Sequence, residues 1–160
     1  MKVYREFIGK KILEIGNVLR HYFPCDHTVI DKFEKAPGVR NIDIIDLNTS
    51  EKYDLIVSIS TLEHVGYDED QKNHNKISRA IDILKKCKSD TGTLIITLPL
   101  GYNADLDSMI KNNELNIHNL FFLKRISRNN IWVETVYKDI ENCKYGTPFP
   151  YANGLVVGIE

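Results

Sequence analysis

Apolar residues come in short, β-branched runs set off by polar intervals, and only a few of those intervals carry helical spacing. The runs predict strands over 11–15, 27–30, 39–45, Tyr53–Ile59 and 93–98. Between the first two, residues 17–23 have room for a short helix stopped by Pro24. Pro37-Gly38 punctuates a connection over 34–38. The run YDLIVSI is nearly unbroken, the mark of a strand buried on both faces of a parallel sheet. Residues 60–65 then read as a loop or helix, and 66–75 as a polar, exposed segment. The clearest helix covers 76–88: Ile77, Ala80, Ile81 and Leu84 share one face, and Lys85, Lys86 and Lys88 crowd the last turn, a solvated face favoured by the dipole. A turn follows at 89–92. A second helix is predicted over 105–113, with Asn103 or Asp105 as cap. Beyond it the pattern becomes strand-rich, at 120–123, 131–137 and 155–159, with a turn at 127–130. Trp132 and Glu134 alternate as edge and core positions. Residues 1–7 form a short lead-in, helix or strand.

Strand alternating with helix, then strand-rich hairpin material, predicts an α/β domain: a mostly parallel central sheet with an antiparallel C-terminal edge hairpin. The 160 residues fit a single domain, 1–160, without repeats or linkers. In such a sheet a ligand sits beyond the carboxyl ends of the strands. Two residues stand at such ends. Gly16 lets the backbone approach a ligand closely, and Asp31 offers a carboxylate to a pair of ribose hydroxyls.

Composition narrows the classes. With 21 basic and 22 acidic residues the net charge is −1, which argues against nucleic acid or an anionic membrane as partner. No apolar run nears the roughly 20 residues of a membrane span, and the N-terminal stretch is too polar for a signal peptide. Three scattered cysteines without a CxxC pair suit a reducing, cytoplasmic setting and no zinc knuckle. His21, His27, His74 and His118 lack metal-ligand spacing, and GxSxG, P-loop and HExxH are absent. No GxGxxG follows the first strand, which argues against a nicotinamide enzyme.

The order LEIG, then VID, then NID…YDLIVSISTLEHV, then GTLIITLP resembles class I S-adenosylmethionine-dependent methyltransferases, the small-molecule branch with an LEHV segment after the fourth strand. The resemblance spans about Lys11 to Asn103 and implies a Rossmann-like methyltransferase fold with S-adenosylmethionine as cofactor. It matches Glu14 and Gly16 to the E-x-G loop that passes the cofactor's methionine part. Asp31 matches the ribose acid, with Lys32 beside the adenine. Asp43 matches the acid facing the adenine amino group, with Ile44 against the ring and Asp46 as the other register. Ser58, Ile59 and Ser60 match the end of strand four, where backbone groups approach the cofactor. One departure is plain: the family's G-x-G loop reads Gly16-Asn17-Val18-Leu19 here. Asn17 tolerates a left-handed backbone and can stand in for part of the glycine function; Val18 cannot.

Glu63-His64 is the pair with the most chemistry. A histidine can take a proton near neutral pH, and His64 would serve as base toward an acceptor hydroxyl, against the bland reading of a packed, backbone-bonded histidine. Similar Glu and His residues ligate metal in some relatives, but a full ligand set is not visible. Tyr102 and Asn103, after the fifth strand, are either substrate wall or a polar turn. The leading expectation is therefore methyl transfer to a small polar acceptor such as a sugar or nucleotide-sugar hydroxyl. The alternative is a catalytically inactive binding or regulatory domain. A homo-oligomer or a partner subunit would then cover the site, since little precedes Lys11.

Overall fold

A computed structural model describes residues 6–7 and 9–160; most of the expected lead-in lies outside the described residues. One eight-stranded sheet runs through the molecule in the order β3-β2-β1-β4-β5-β8-β6-β7. Strands β1 (Ile12–Ile15), β2 (Thr28–Ile30), β3 (Val39–Arg40), β4 (Tyr53–Ile59) and β5 (Lys88–Pro99) are parallel. β8 (Gly154–Ile159) runs antiparallel between β5 and β6 (Asn119–Arg125), and β7 (Trp132–Thr135) closes the edge. The mostly parallel sheet with antiparallel C-terminal strands expected from the sequence is present. The edge hairpin is β6 with β7, and the last strand, β8, inserts between it and β5.

Register sorts the side chains into two faces. Leu13, Ile15, Ile56, Leu94, Ile96, Leu98 and Val156 join one core cluster. Every described α-helix packs into that cluster: α1 (Lys76–Cys87) through Ile77, Ala80, Ile81 and Leu84, α2 (Ala104–Lys111) through Leu106 and Ile110, and α3 (Tyr137–Ile140) through Ile140. The amphipathic spacing read for residues 76–88 therefore marks the face that α1 buries. On the opposite face Ile12, Val29, Leu55 and Val57 are buried outside that cluster. Farther along the same face Ile95, Val157 and Ile159 stay half-buried and Phe121 is 42% exposed. Among the described residues, no α-helix lies in the connections before β4.

Several local expectations are corrected. The helix over 17–23 is only a 3₁₀ turn, Leu19–His21, because the nitrogens of Val18 and Leu19 are taken by the Glu14 carboxylate. The strand over 39–45 shrinks to Val39–Arg40: Asp43 accepts from Ile45 N and caps a 3₁₀ turn, Ile44–Asp46, instead. Residues 89–92 are not a turn between helix and strand; they lie within β5, where the register jumps from Tyr53↔Lys88 to Leu55↔Thr93. The strand over 131–137 stops at Thr135, whose hydroxyl donates to Asp139 across the start of α3.

Candidate active site

The strand order reverses direction between β1 and β4, and a cavity of about 640 Å³ opens there at the carboxyl ends. That volume lies within the range of small-ligand sites, roughly 300–1,000 Å³. Gly16 stands at the end of β1 with φ 83°, and a Cβ on it would meet Thr61 Oγ1 at 2.2 Å. Only glycine lets the loop after β1 pass under the loop after β4.

Asp31 lines the same cavity. Its Oδ1 accepts from Phe33 N at 2.8 Å and Glu34 N at 2.7 Å, while Oδ2 has no partner among the described residues. One oxygen thus anchors the carboxylate and the other is left for a ligand. Gly16 and Asp31 share one crevice, and Gly16 N donates to Ile30 O.

Lys32, Asp43 and Ile44 line the cavity too. Ile44 lies on its floor, buried into the core. Asp43 Oδ2 accepts from Lys76 Nζ at 2.6 Å and pairs with Lys32 Nζ at 2.9 Å; both lysines also reach Glu69. Burial alone would raise the Asp43 pKa, but bonds from Lys76, Lys32 and Ile45 N outweigh it and hold the carboxyl below its usual range. Asp43 in turn raises the Lys32 pKa. This compensated network ties the loop after β2 to the segment after β4 across the cavity.

Glu14 and Asn17 do not line the cavity. Glu14 organises the loop from beneath, as an acceptor for Val18 N, Leu19 N and the His27 ring. The Asn17 amide donates to Glu34. Ser58 is buried within β4, and Ser60, at φ 46°, donates its N–H to Thr97. With Ile59 they set the end of β4, and the residue facing the cavity is the next one, Thr61.

His64 lines the opposite wall. Its Nδ1 lies 2.5 Å from Asp68 Oδ2, which also accepts from the Tyr102 hydroxyl at 2.7 Å. Burial would raise the Asp68 pKa, yet Tyr102 and His64 hold it low. Asn103 is no part of the wall: it is buried, caps α2 and donates to Glu63 O.

Sequence reasoning passed over Thr61, Asp68 and Glu69, because their roles depend on a loop of weak pattern. It also gave Glu63 no role of its own, although that side chain is 2% exposed, its Oε2 has no partner, and burial pushes its pKa up to about 8. Among the described residues no cluster of His, Cys, Asp or Glu is arranged to hold a metal ion, and no helix is long and apolar enough to cross a membrane.

No protein-family profile and no curated protein sequence matches the chain. Solved structures do. The N-methyltransferase NodS from Bradyrhizobium japonicum WM9, in complex with S-adenosyl-L-homocysteine, superposes with a TM-score of 0.55 at 15% identity, over 99% of this chain and 82% of that one. A SAM-dependent methyltransferase from Archaeoglobus fulgidus gives 0.53 at 12%, over 99% and 90%. A possible histamine N-methyltransferase from Thermotoga maritima gives 0.53 at 10%, over 92% and 80%. At these identities the likeness fixes the fold, that of class I SAM-dependent methyltransferases, for which S-adenosylmethionine is the cofactor.

Proposed function

We propose that the chain is a methyltransferase that takes its methyl group from S-adenosylmethionine and delivers it to a small polar acceptor. The observation that carries this is the pairing of Gly16 with the half-free Asp31 carboxylate in one cavity at the sheet's switch point. The residues present fit the cofactor. Asp31 Oδ2 would accept from the ribose hydroxyls. Gly16 and Thr61 would flank the methionine part, with Glu14 and Asn17 fixing the loop and Ser58, Ile59 and Ser60 the strand end behind it. Ile44 and Ile30 give apolar walls for the adenine, and Lys32 and Asp43 hold the shape of that end.

The bound cofactor supplies a methyl group activated by a sulfonium charge, so the protein's main task is alignment. His64 is the candidate base. With its Nδ1 hydrogen donated to Asp68, Nε2 is left to take a proton from an acceptor hydroxyl, such as that of a sugar or nucleotide sugar. The chain's near-neutral charge supports a small molecule rather than nucleic acid or membrane as partner, and its cysteine pattern supports a cytoplasmic setting. Ile95, Val157 and Ile159, half-buried on the face opposite α1, α2 and α3, support a homo-oligomer or partner subunit.

A second reading, a binding or regulatory domain without turnover, is favoured by Asn17, whose amide is spent on Glu34 where relatives have an open glycine loop. Titration calorimetry with S-adenosylmethionine and S-adenosylhomocysteine tests both. Binding weakened about 10–100-fold in Asp31→Ala supports the first, the scale expected for lost hydrogen bonds to a charged group. Absence of binding by folded protein overturns it. Binding without turnover over a broad acceptor panel leaves the second.

A further inference from the structure

Beside the cavity-lining His64, three tyrosine rings gather from three parts of the chain. Tyr67 comes from the loop after β4, Tyr102 from the turn after β5 and Tyr145 from the segment between α3 and β8. The Tyr67 and Tyr145 centroids lie 6.0 and 5.1 Å from that of Tyr102, and the His64 ring meets Tyr102 edge-on at 4.8 Å. Two carboxyl groups belong to the cluster. Asp68 is held by His64 and Tyr102; Glu63 is buried with Oε2 unpartnered, and its Oε1 is 3.7 Å from His64 Nε2. A buried oxygen with no donor is costly, and the missing donor is the clue.

One cation already uses this surface. Lys72 Nζ sits 4.2 Å over the Tyr67 ring, the one lysine or arginine stacked on these three rings among the described residues. Tyrosine faces attract cations, and two acids nearby reinforce the preference while opposing a carboxylate or phosphate.

We propose that Tyr67, Tyr102 and Tyr145, with Glu63 and Asp68, form the acceptor subsite, and that it takes an ammonium group. The inference rests on the methyl-transfer reading and names its acceptor class: a small amine, an amino sugar before a neutral sugar. The bound ammonium would lose one proton to His64 Nε2, so that the freed nitrogen lone pair takes the methyl carbon as its bond to the sulfonium sulfur breaks. Glu63, pushed up to about 8 by burial with Asp68's charge adding to it, is neutral at pH 7. The groups facing it are His64 and Asp68 from its own loop, Tyr102 from beyond β5 and Tyr145 from beyond α3. An arriving cation favours the carboxylate, so Glu63 gives up its proton. Affinity for a cation of fixed charge therefore rises with pH until about 8 and then levels off.

Tetramethylammonium is the probe, since it neither titrates nor accepts a methyl group. Added to the full chain without cofactor, against sodium chloride at equal ionic strength, it is expected to shift the tyrosine ring NMR signals saturably. Tyr145→Leu, at a 39% exposed position, and Tyr102→Leu each weaken binding about 3–10-fold, the scale of one cation–π contact. Glu63→Gln removes the pH dependence. With S-adenosylmethionine present, glucosamine releases S-adenosylhomocysteine faster than glucose does. Shifts no larger than those from sodium chloride, unchanged binding in folded Tyr145→Leu, or faster release with glucose overturns the subsite. Loss of calorimetric cofactor binding with tetramethylammonium binding intact overturns methyl transfer instead, so the two failures are distinct.

Discussion

Glu14 and Glu63 are the same residue under nearly the same burial, one in β1 and the other just beyond β4, on neighbouring strands. Glu14, 0% exposed, is saturated: Oε1 takes Val18 N and Leu19 N, and Oε2 takes the His27 ring. Glu63, 2% exposed, leaves Oε2 without any donor and has only a 3.7 Å approach to His64. A buried carboxylate with both oxygens bonded is architecture; it replaces the helix that the loop after β1 does not form. One with an unmet oxygen holds unspent binding capacity, and it lies next in sequence to the cavity-lining His64.

Glu14→Ala breaks the first case most severely, leaving two backbone nitrogens and a buried histidine facing an apolar gap. The expected loss is about 3–5 kcal/mol, read by urea unfolding. Gly16→Ala strikes the same loop through its backbone: a φ of 83° and a 2.2 Å contact with Thr61 Oγ1 should cost about 1–3 kcal/mol. Thr61→Gly in the same chain recovers the contact part and leaves the φ part.

Glu63→Gln runs the opposite way. The folded pKa of about 8 lies above the ordinary 4.5, so between those values the folded state binds the extra proton and wild-type stability falls as pH rises. The variant flattens that slope and is more stable at pH 8.5 by about 1–3 kcal/mol, the scale of an unpaired buried group. Thermal unfolding at pH 5, 7 and 8.5 checks the sign. Smallest is Phe121→Ser on β6, expected to change stability by under about 0.5 kcal/mol, as for other exposed positions, while raising solubility.

The parts of this arrangement legible in the sequence are those written in local pattern. The run Tyr53–Ile59 announces a central strand because both its faces are apolar, and Ile77, Ala80, Ile81 and Leu84 announce α1 by spacing alone. Gly16 and Asp31 fall in one crevice because each ends a strand, and neighbouring parallel strands bring their ends together. What stayed hidden depends on distant partners. His27 meets Glu14 from the far end of the β1–β2 connection, and Tyr145 reaches Tyr102 from 43 positions along. Lys76, to all appearance the start of a solvated helix, is buried between Asp43 and Glu69. Residues 39–45 misled because Asp43 spends a side-chain oxygen on Ile45 N, a local bond that alternation of apolar residues does not reveal.

The partly wet apolar positions Ile95, Val157, Ile159 and Phe121 carry a thermodynamic signature. Heat capacity and denaturant sensitivity both scale with the apolar surface newly wetted when a chain unfolds, and here part of that surface is wet beforehand. Unfolding of the isolated chain should therefore absorb less than the about 2 kcal/mol/K typical of 160 residues. Its stability curve is shallow and broad, changing little between cold and warm.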